Sequence, residues 1–390
     1  MLGLSLFGLP MLAGCAVIHR PPTTLPQIAL DADAAVRTER ATRDSVIARL
    51  VRRAVVRGDG TLDVLMLSGG GQNGAFGTGF LRGWQSRPDA PMPAFDLVTG
   101  ISTGALQAPY VMLGTAAAMD TLTELYLHAE ERVAPSIDWF SLVRRTGGLV
   151  NTARFDRALA ESVSGPFRDN LRRAFDADRQ IVVGTTDFDL GTGRTWSLSD
   201  ALDTTTAGLT RTRQLLKAAT AIPGIFPPVV IDGHVHGDGG VITNVLPLLD
   251  FADYQRLAAA LAARGLRDVT VRVYVIMNLM AYPALRVVDP ASIKQIVART
   301  NVLLFYAHQP QTLELLDLLS RAVSHGVPGL RVEFHVATMP ADLWNVPGSS
   351  ALFNGAFSKH IDALGFAKAR SATPWDSIPS AFQRPPDPKR

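Results

Sequence analysis

Cysteine is almost missing from this chain of 390 residues, which has one. That excludes an internal disulfide framework and any cysteine-based zinc site. Charge imbalance is also slight: 38 Lys+Arg against 35 Asp+Glu leave +3. No long basic block concentrates that excess, so the cationic footprint of a nucleic-acid binder is absent. No apolar run reaches bilayer-spanning length, since Leu2 to Met11 is too short. No Pro/Gly-rich linker splits the body and no internal repeat is evident. What remains is 47% hydrophobic and 19% charged, far too apolar for a disordered chain and long enough for one large α/β domain.

The single thiol sits at an informative place. Leu12-Ala13-Gly14-Cys15 closes the apolar run, with small residues where a signal peptide is cleaved. The tetrapeptide resembles the bacterial lipobox. The resemblance implies a signal peptide over 1–14, acylation of Cys15 and a lipid-anchored mature protein in a bacterial cell envelope. Ala16, rather than an aspartate, follows the thiol, which by the same resemblance implies the outer membrane, facing the periplasm. The plain alternative is a small buried hydrophobe. Pro21, Pro22 and Pro26, with no apolar periodicity, read as a flexible tether over 15–34. The body then runs over 35–371, and 372–390 is a proline-bearing tail.

Within the body, Val46, Ile47, Leu50, Val51 and Val55 share one face of an entry helix spanning Ala34 to Arg57. Apolar strands are expected at Leu62–Leu67, Phe95–Gly100, Ile181–Thr186, Thr195–Leu198, Val229–Val235, Val269–Met277 and Leu330–Thr338. Helical patterns fall between them, at Asn73–Trp84, Ser102–Leu113, Leu209–Ala221, Leu248–Arg264 and Ile293–Val323. Apolar strands alternating with helices predict an α/β fold, a three-layer sandwich with a mostly parallel central sheet covered on both faces.

Three glycine-rich segments carry the chemistry. Ser68-Gly69-Gly70-Gly71-Gln72-Asn73-Gly74 follows a strand and opens a helix, so bare backbone N–H groups and the positive helix end face one point and suit an anion. Gly100-Ile101-Ser102-Thr103-Gly104 joins a strand to a helix with glycines on both sides of a serine, as a nucleophile elbow requires. A serine capping the following helix is the plainer reading. Gly233-His234-Val235-His236-Gly237-Asp238-Gly239-Gly240 ends a strand and sets an acid in a glycine turn that can approach a neighbouring element closely.

Together these motifs resemble the patatin-like phospholipase family. Gly69, Gly70, Gly71 and Gly74 match its oxyanion loop, Gly100, Ser102 and Gly104 its nucleophile elbow, and Asp238, Gly239 and Gly240 its acid motif. The run from Ala218 to Pro228 resembles the family's Ala-Ser-x-Ala-x-Pro-x-x-Phe-x-Pro segment, and Asn73 stands where the family commonly carries a cation. The likeness spans about Leu62 to Pro247. It implies a Ser–Asp dyad without histidine, with Ser102 as nucleophile, Asp238 as base, an acyl-enzyme intermediate and a lipid or phospholipid substrate. It implies no cofactor and no metal.

Other readings stay open from the residues alone. Gly69-x-Gly71-x-x-Gly74 also fits a dinucleotide fingerprint, with Asp96 at roughly the right distance though at the start of its strand. His234, His236 and Asp238 alternate along one strand face and fit a metal-dependent hydrolase. A serine hydrolase with His308, His325, His335 or His360 as base is a third. Trp139 and Phe140, followed by Arg144 and Arg145, fit either a membrane-interface segment or a helix packed on the core. Val302 to Tyr306 fits either an acyl-channel wall or core packing.

Overall fold

Side chains along the buried strands alternate between two separate apolar cores. The computed structural model describes residues 18, 20–134, 136–138, 146–280, 282–283, 285–306, 309–340 and 343–377. Cys15, the segment with Trp139, Phe140, Arg144 and Arg145, His308 and the end of the tail therefore lie outside the described residues.

The strands are β1 (Thr61–Leu67), β2 (Leu97–Ile101), β3 (Ser136–Ile137), β4 (Val150–Asn151), β5 (Gln180–Asp187), β6 (Thr192–Ser197), β7 (Val229–Ile231), β8 (His234–Asp238), β9 (Val269–Ile276) and β10 (Leu330–Ala337). The helices are α1 (Leu25–Arg57), α2 (Gly74–Gln85), α3 (Thr103–Leu113), α4 (Ala116–Leu127), α5 (Ala129–Arg132), α6 (Ala153–Ser162), α7 (Gly165–Asp176), α8 (Leu198–Ala201), α9 (Thr206–Ala219), α10 (Phe251–Ala262), α11 (Ile293–Tyr306), α12 (Gln309–Gly326) and α13 (Gly355–Ala369). The main sheet runs β10-β9-β1-β2-β5-β8-β7, with β6 also paired to β5. The five strands from β10 to β5 are mutually parallel. The pairs β5–β6, β5–β8 and β7–β8 are antiparallel.

Leu65, Leu67, Val98, Ile181, Val183 and Ile276 bury into one core with α2, α3, α9 and α13. Their neighbours Val64, Met66, Leu97, Val182 and Val275 bury into the other with α1, α10 and α12. Period-two alternation with both faces covered is the signature of an open parallel sheet between helical layers. The expected three-layer α/β fold is what forms.

Helix α1 begins at Leu25, so the second half of the expected tether is helical. Thr24 caps it through a hydrogen bond from the Gln27 N–H, and Pro26 sits in the first turn, where a missing N–H costs nothing. Its C-terminal end clamps the start of the sheet: Arg53 and Arg57 reach Asp96 at 2.8 and 2.6 Å, and Arg57 also reaches Asp63 at 2.8 Å. Two fully buried carboxylates at the strand N-termini are thereby compensated, which a sheet edge of this kind requires. Asp96 is used up in this network, at the opposite end of β2 from the glycine loop. It cannot hold a ribose there, and the dinucleotide reading loses its acid.

The expected strand Val229–Val235 is a hairpin, because Asp232 and Gly233 both adopt positive φ, 51° and 88°, and turn the chain between β7 and β8. The expected helix Ile293–Val323 is two helices, α11 and α12, with Pro310 near the start of the second, where proline is tolerated.

Candidate active site

Strand β5 has two edges, and their use brings the distant motifs together. Val182, Val183 and Gly184 pair with β2 on one side and β6 on the other. Thr185, Thr186 and Asp187 pair with β6 and with β8. Strand β8 therefore continues along the edge that β2 vacates, in the opposite direction. Gly184 pairs with Ile101 and Thr185 with Asp238, so the residue after Ile101 and the last residue of β8 meet at the junction.

That next residue is Ser102, whose φ of 51° and ψ of −121° make it the one non-glycine, non-aspartate residue with positive φ among the described residues. Such a conformation is costly and persists only where neighbours enforce it. The flanking glycines show how. A Cβ at Gly100 would stand 2.5 Å from the Gly104 carbonyl oxygen, and one at Gly104 would overlap the Leu67 carbonyl. The chain can turn this sharply from β2 into α3 only with bare backbone at both positions. Ser102 is 8% exposed, at the N-terminus of α3, where unpaired amides favour negative charge.

Asp238 is buried, at 1% exposure. Its Oδ1 accepts from the Gly240 N–H at 2.8 Å, its backbone N–H donates to Ala221 at 2.8 Å, and its carbonyl accepts from the Thr186 hydroxyl at 2.9 Å. Oδ2 is buried without a hydrogen-bond partner at bonding geometry among the described residues. Burial pushes the Asp238 pKa up to about 6, while the nearby Ser102 hydroxyl and the Gly240 amide pull it the other way. The Gly239 position faces the β5 backbone, where a Cβ would stand 2.7 Å from the Gly184 carbonyl oxygen.

The loop Gly69 to Gly71 completes the cluster. A Cβ at Gly69 would come 3.1 Å from the Ser102 Cβ, and one at Gly70 would overlap the Asn278 carbonyl oxygen. Neither the Gly70 nor the Gly71 N–H has an acceptor among the described residues. Residues outside the three glycine-rich segments hold this loop. Asn244 accepts the Gly69 N–H at 3.1 Å on its backbone carbonyl. Asn278 donates its backbone N–H to the Ser68 hydroxyl oxygen at 2.7 Å, and its Nδ2 to the Ser68 carbonyl at 3.0 Å and to Gln107 Oε1 at 3.0 Å, while Gln107 Nε2 donates to the Gly74 carbonyl at 2.7 Å. Asn278 lies just past the carboxyl end of β9, where parallel sheets place their sites, and that position was the one available signal for it.

A cavity of about 120 Å³ opens beside Ser102 and Gly71, walled by Leu106, Tyr110, Leu125, Phe155, Leu159 and Phe226 among others. Thr220 and Ile222, in the Ala218–Pro228 run, line it too. Val302, Leu303 and Phe305 do not, and Phe305 lies instead against Gly240.

Residues 65–252 match the model of the family described as Patatin-like phospholipase. The chain carries a patatin-like phospholipase domain. Its matched span contains the glycine loop, Ser102 and Asp238, and the family is one of lipid acyl hydrolases. No curated protein matches the sequence. Among solved structures, the crystal structure of VipD from Legionella pneumophila aligns at 13% identity and TM-score 0.34, over 79% of this chain and 66% of that one. The chain thus spans just under two thirds of that structure's length.

Within the patatin-like domain the histidines of β8 are occupied elsewhere. His236 Nδ1 lies 3.0 Å from the Thr185 hydroxyl, and burial lowers its pKa to about 4. His234 sits between Asp187 at 3.1 Å and Asp31 at 3.1 Å; burial alone would lower its pKa, but the two carboxylates outweigh it and raise it. The alternative metal trio of His234, His236 and Asp238 does not converge: among the described residues, the ligand-type atoms that gather within 4.8 Å belong to Asp187, Asp189 and His234. Arg20 already engages Asp189 at 3.0 Å. His335 stacks on Tyr274, and His325 Nδ1 bonds the Arg321 carbonyl. No histidine among the described residues bonds to Ser102 or Asp238.

Proposed function

We propose that this protein is a serine acyl hydrolase that cleaves the acyl esters of phospholipids or related lipids through a Ser102–Asp238 dyad. The observation that carries the reading is a strained serine beside a buried carboxylate, under free loop amides, at the mouth of an apolar cavity.

In this reading the acyl chain lies in the cavity and the ester carbonyl sits between Ser102 and the loop. Asp238 takes the Ser102 proton as Oγ attacks the carbonyl carbon, and the carbonyl π pair moves onto oxygen. Gly70 and Gly71 N–H groups receive that oxyanion, a contribution of roughly 3 kcal/mol per donor. Collapse expels the alcohol, which takes the proton from Asp238 and leaves an acyl-enzyme. Water then repeats the sequence: it gives a proton to Asp238 and its oxygen attacks the acyl carbon, and as the acyl–Oγ bond breaks Asp238 returns the proton to Ser102 Oγ and the fatty acid leaves. A carboxylate with an ordinary pKa is a weak base for an alcohol, and burial corrects part of that mismatch by bringing Asp238 towards neutral pH. Glycines 69 to 71 shape the cradle, Gly100 and Gly104 permit the elbow, and Gly239 and Gly240 hold the acid.

Purified protein incubated with phospholipids of defined chains, and with short-chain esters, tests this. Release of fatty acid by the wild type and none by Ser102→Ala supports it; equal release by both, or none by either, refutes it. The lipobox-like Leu12-Ala13-Gly14-Cys15 supports a second element of the reading, an acylated Cys15 that holds the enzyme on the periplasmic face of an outer membrane. Incorporation of labelled palmitate that disappears in Cys15→Ser is the expected result; label retained in that variant contradicts it.

A further inference from the structure

Helix α11 carries two apolar faces, and one of them meets water. Phe305 and Tyr306 turn inward: the Phe305 ring lies against Gly240, and Tyr306 is buried with its ring 5.9 Å from that of Trp344. At about 100° per residue, Ile293, Ile296, Val297 and Leu303 form a separate stripe along the other side. These four are 79, 43, 53 and 42% exposed. The chain just before the helix adds Leu285 and Val287, at 60 and 96%. Scattered exposed apolar residues need no explanation, but a stripe of them along one helix face, interrupted by Thr300 whose hydroxyl donates back to the Ile296 carbonyl, marks an interaction surface.

The charges around the stripe say what kind. Lys294 and Arg299 fall on opposite flanks of it, and Arg286 lies between Leu285 and Val287. Asp289 is the one carboxylate between residues 285 and 306. None of the three cations forms an ion pair among the described residues, although most arginines elsewhere on this chain do. Unpaired cations flanking an apolar stripe are what a helix needs to lie in a headgroup layer, apolar side down, with its charges at phosphate depth. A protein partner would call for carboxylates on its own face, whereas an anionic bilayer supplies both the apolar layer and the counter-charge.

We propose that α11, with the segment 285–288 ahead of it, is a docking face for the surface of an anionic lipid bilayer. Among the described residues no helix is long and apolar enough to cross a membrane, so this contact is peripheral. The choice of a lipid over a protein surface rests in part on the lipid-hydrolase reading. Because Phe305 abuts Gly240, docking there seats the Asp238-Gly239-Gly240 turn next to the layer from which an ester is drawn.

The test uses the full chain with Ser102→Ala and Cys15→Ser, which removes hydrolysis and the acylation site, so that docking is read alone. Its sedimentation with phosphatidylcholine vesicles is compared with vesicles containing three-tenths phosphatidylglycerol. Binding to the anionic vesicles, weakened by 0.5 M salt, is expected. Each surface cation contributes about fivefold. The triple variant Arg286→Ala/Lys294→Ala/Arg299→Ala is therefore expected to lose about a hundredfold, and Ile296→Asp/Leu303→Asp to abolish binding. With Ser102 intact, the same substitutions are expected to leave short-chain ester hydrolysis within twofold. Absence of vesicle binding, or equal binding by parent and variants, overturns the proposal and leaves the hydrolase reading untouched. A dimer of the parent that Ile296→Asp/Leu303→Asp dissolves, without any vesicle binding, assigns the face to a second copy and also overturns it. Intact docking in a protein that hydrolyses no ester refutes the hydrolase reading alone.

Discussion

Ile101 and Asp238 stand on consecutive rungs of the same edge of β5, opposite Gly184 and Thr185. Because β2 runs parallel to β5 and β8 antiparallel, the two strands meet head to head, and Ser102 follows directly on Ile101 at the meeting point. Two residues that act as one unit give non-additive losses. Ser102→Ala and Asp238→Asn are each expected to lower kcat/KM on a short-chain ester by at least about a thousandfold, and the double variant to be no worse than Ser102→Ala alone. Steady-state rates on the three variants check this. Asp238→Asn retaining a tenth of wild-type activity contradicts it.

The raised pKa of Asp238 has one consequence for rate and another for stability. The base must be ionised, so kcat/KM rises with pH through about 6 and is level above it. The folded protein binds the Asp238 proton more tightly than the unfolded chain, whose carboxyl has the ordinary value of 3.8. Stability is therefore present in full at low pH and lost as pH climbs from about 4 to about 6, by on the order of 3 kcal/mol. Asp238→Asn removes this penalty. Urea denaturation is expected to find that variant the more stable at pH 8, by up to about 3 kcal/mol, and to find no such advantage at pH 4. A variant less stable at pH 8 than the wild type contradicts the account.

Neighbouring glycines of the oxyanion loop differ in what a methyl group would meet. At Gly70 it strikes the Asn278 carbonyl, a backbone atom that cannot yield without moving the end of β9. At Gly71 it meets open space, at a φ of 58° that costs an alanine roughly 1 kcal/mol. Gly70→Ala is expected to lose at least about a hundredfold in kcat, the scale of one lost oxyanion donor, together with measurable stability. Gly71→Ala is expected to unfold within about 1 to 2 kcal/mol of the wild type. Thermal melts and rates on both variants decide it, and equal effects of the two substitutions contradict the geometry.

Chain-length preference is the property that the cavity sets. Ala158 lines it from α6 and is small, so Ala158→Trp fills space without emptying the core. The ratio of kcat/KM for a four-carbon ester over a sixteen-carbon ester is expected to rise at least about tenfold. An unchanged ratio places the acyl chain elsewhere.

What the sequence made legible follows physical lines. Gly100-Ile101-Ser102-Thr103-Gly104 and Asp238-Gly239-Gly240 could be read because their geometry is local: close backbone approach needs glycine, and glycine is visible as a letter. The buried strands were legible as apolar runs for the same reason, each being covered on both faces. Asn244, Asn278 and Gln107 were not, since their bonds to the loop cross from other elements and no spacing announces them. Asp96 misled because its distance from the glycines fits a ribose acid while its partners, Arg53 and Arg57, arrive from α1. The break at Asp232-Gly233 was written in the sequence as a hairpin dipeptide, but the apolar residues on both sides obscured it.

Covalent trapping reaches the centre of the account. Protein treated with a fluorophosphonate at pH 8 and digested for mass spectrometry should carry one adduct, on the peptide containing Ser102, formed at least about a hundredfold more slowly in Asp238→Asn and absent in Ser102→Ala. An adduct on another serine in the wild type, or labelling of Ser102 at an unchanged rate without Asp238, would contradict the dyad.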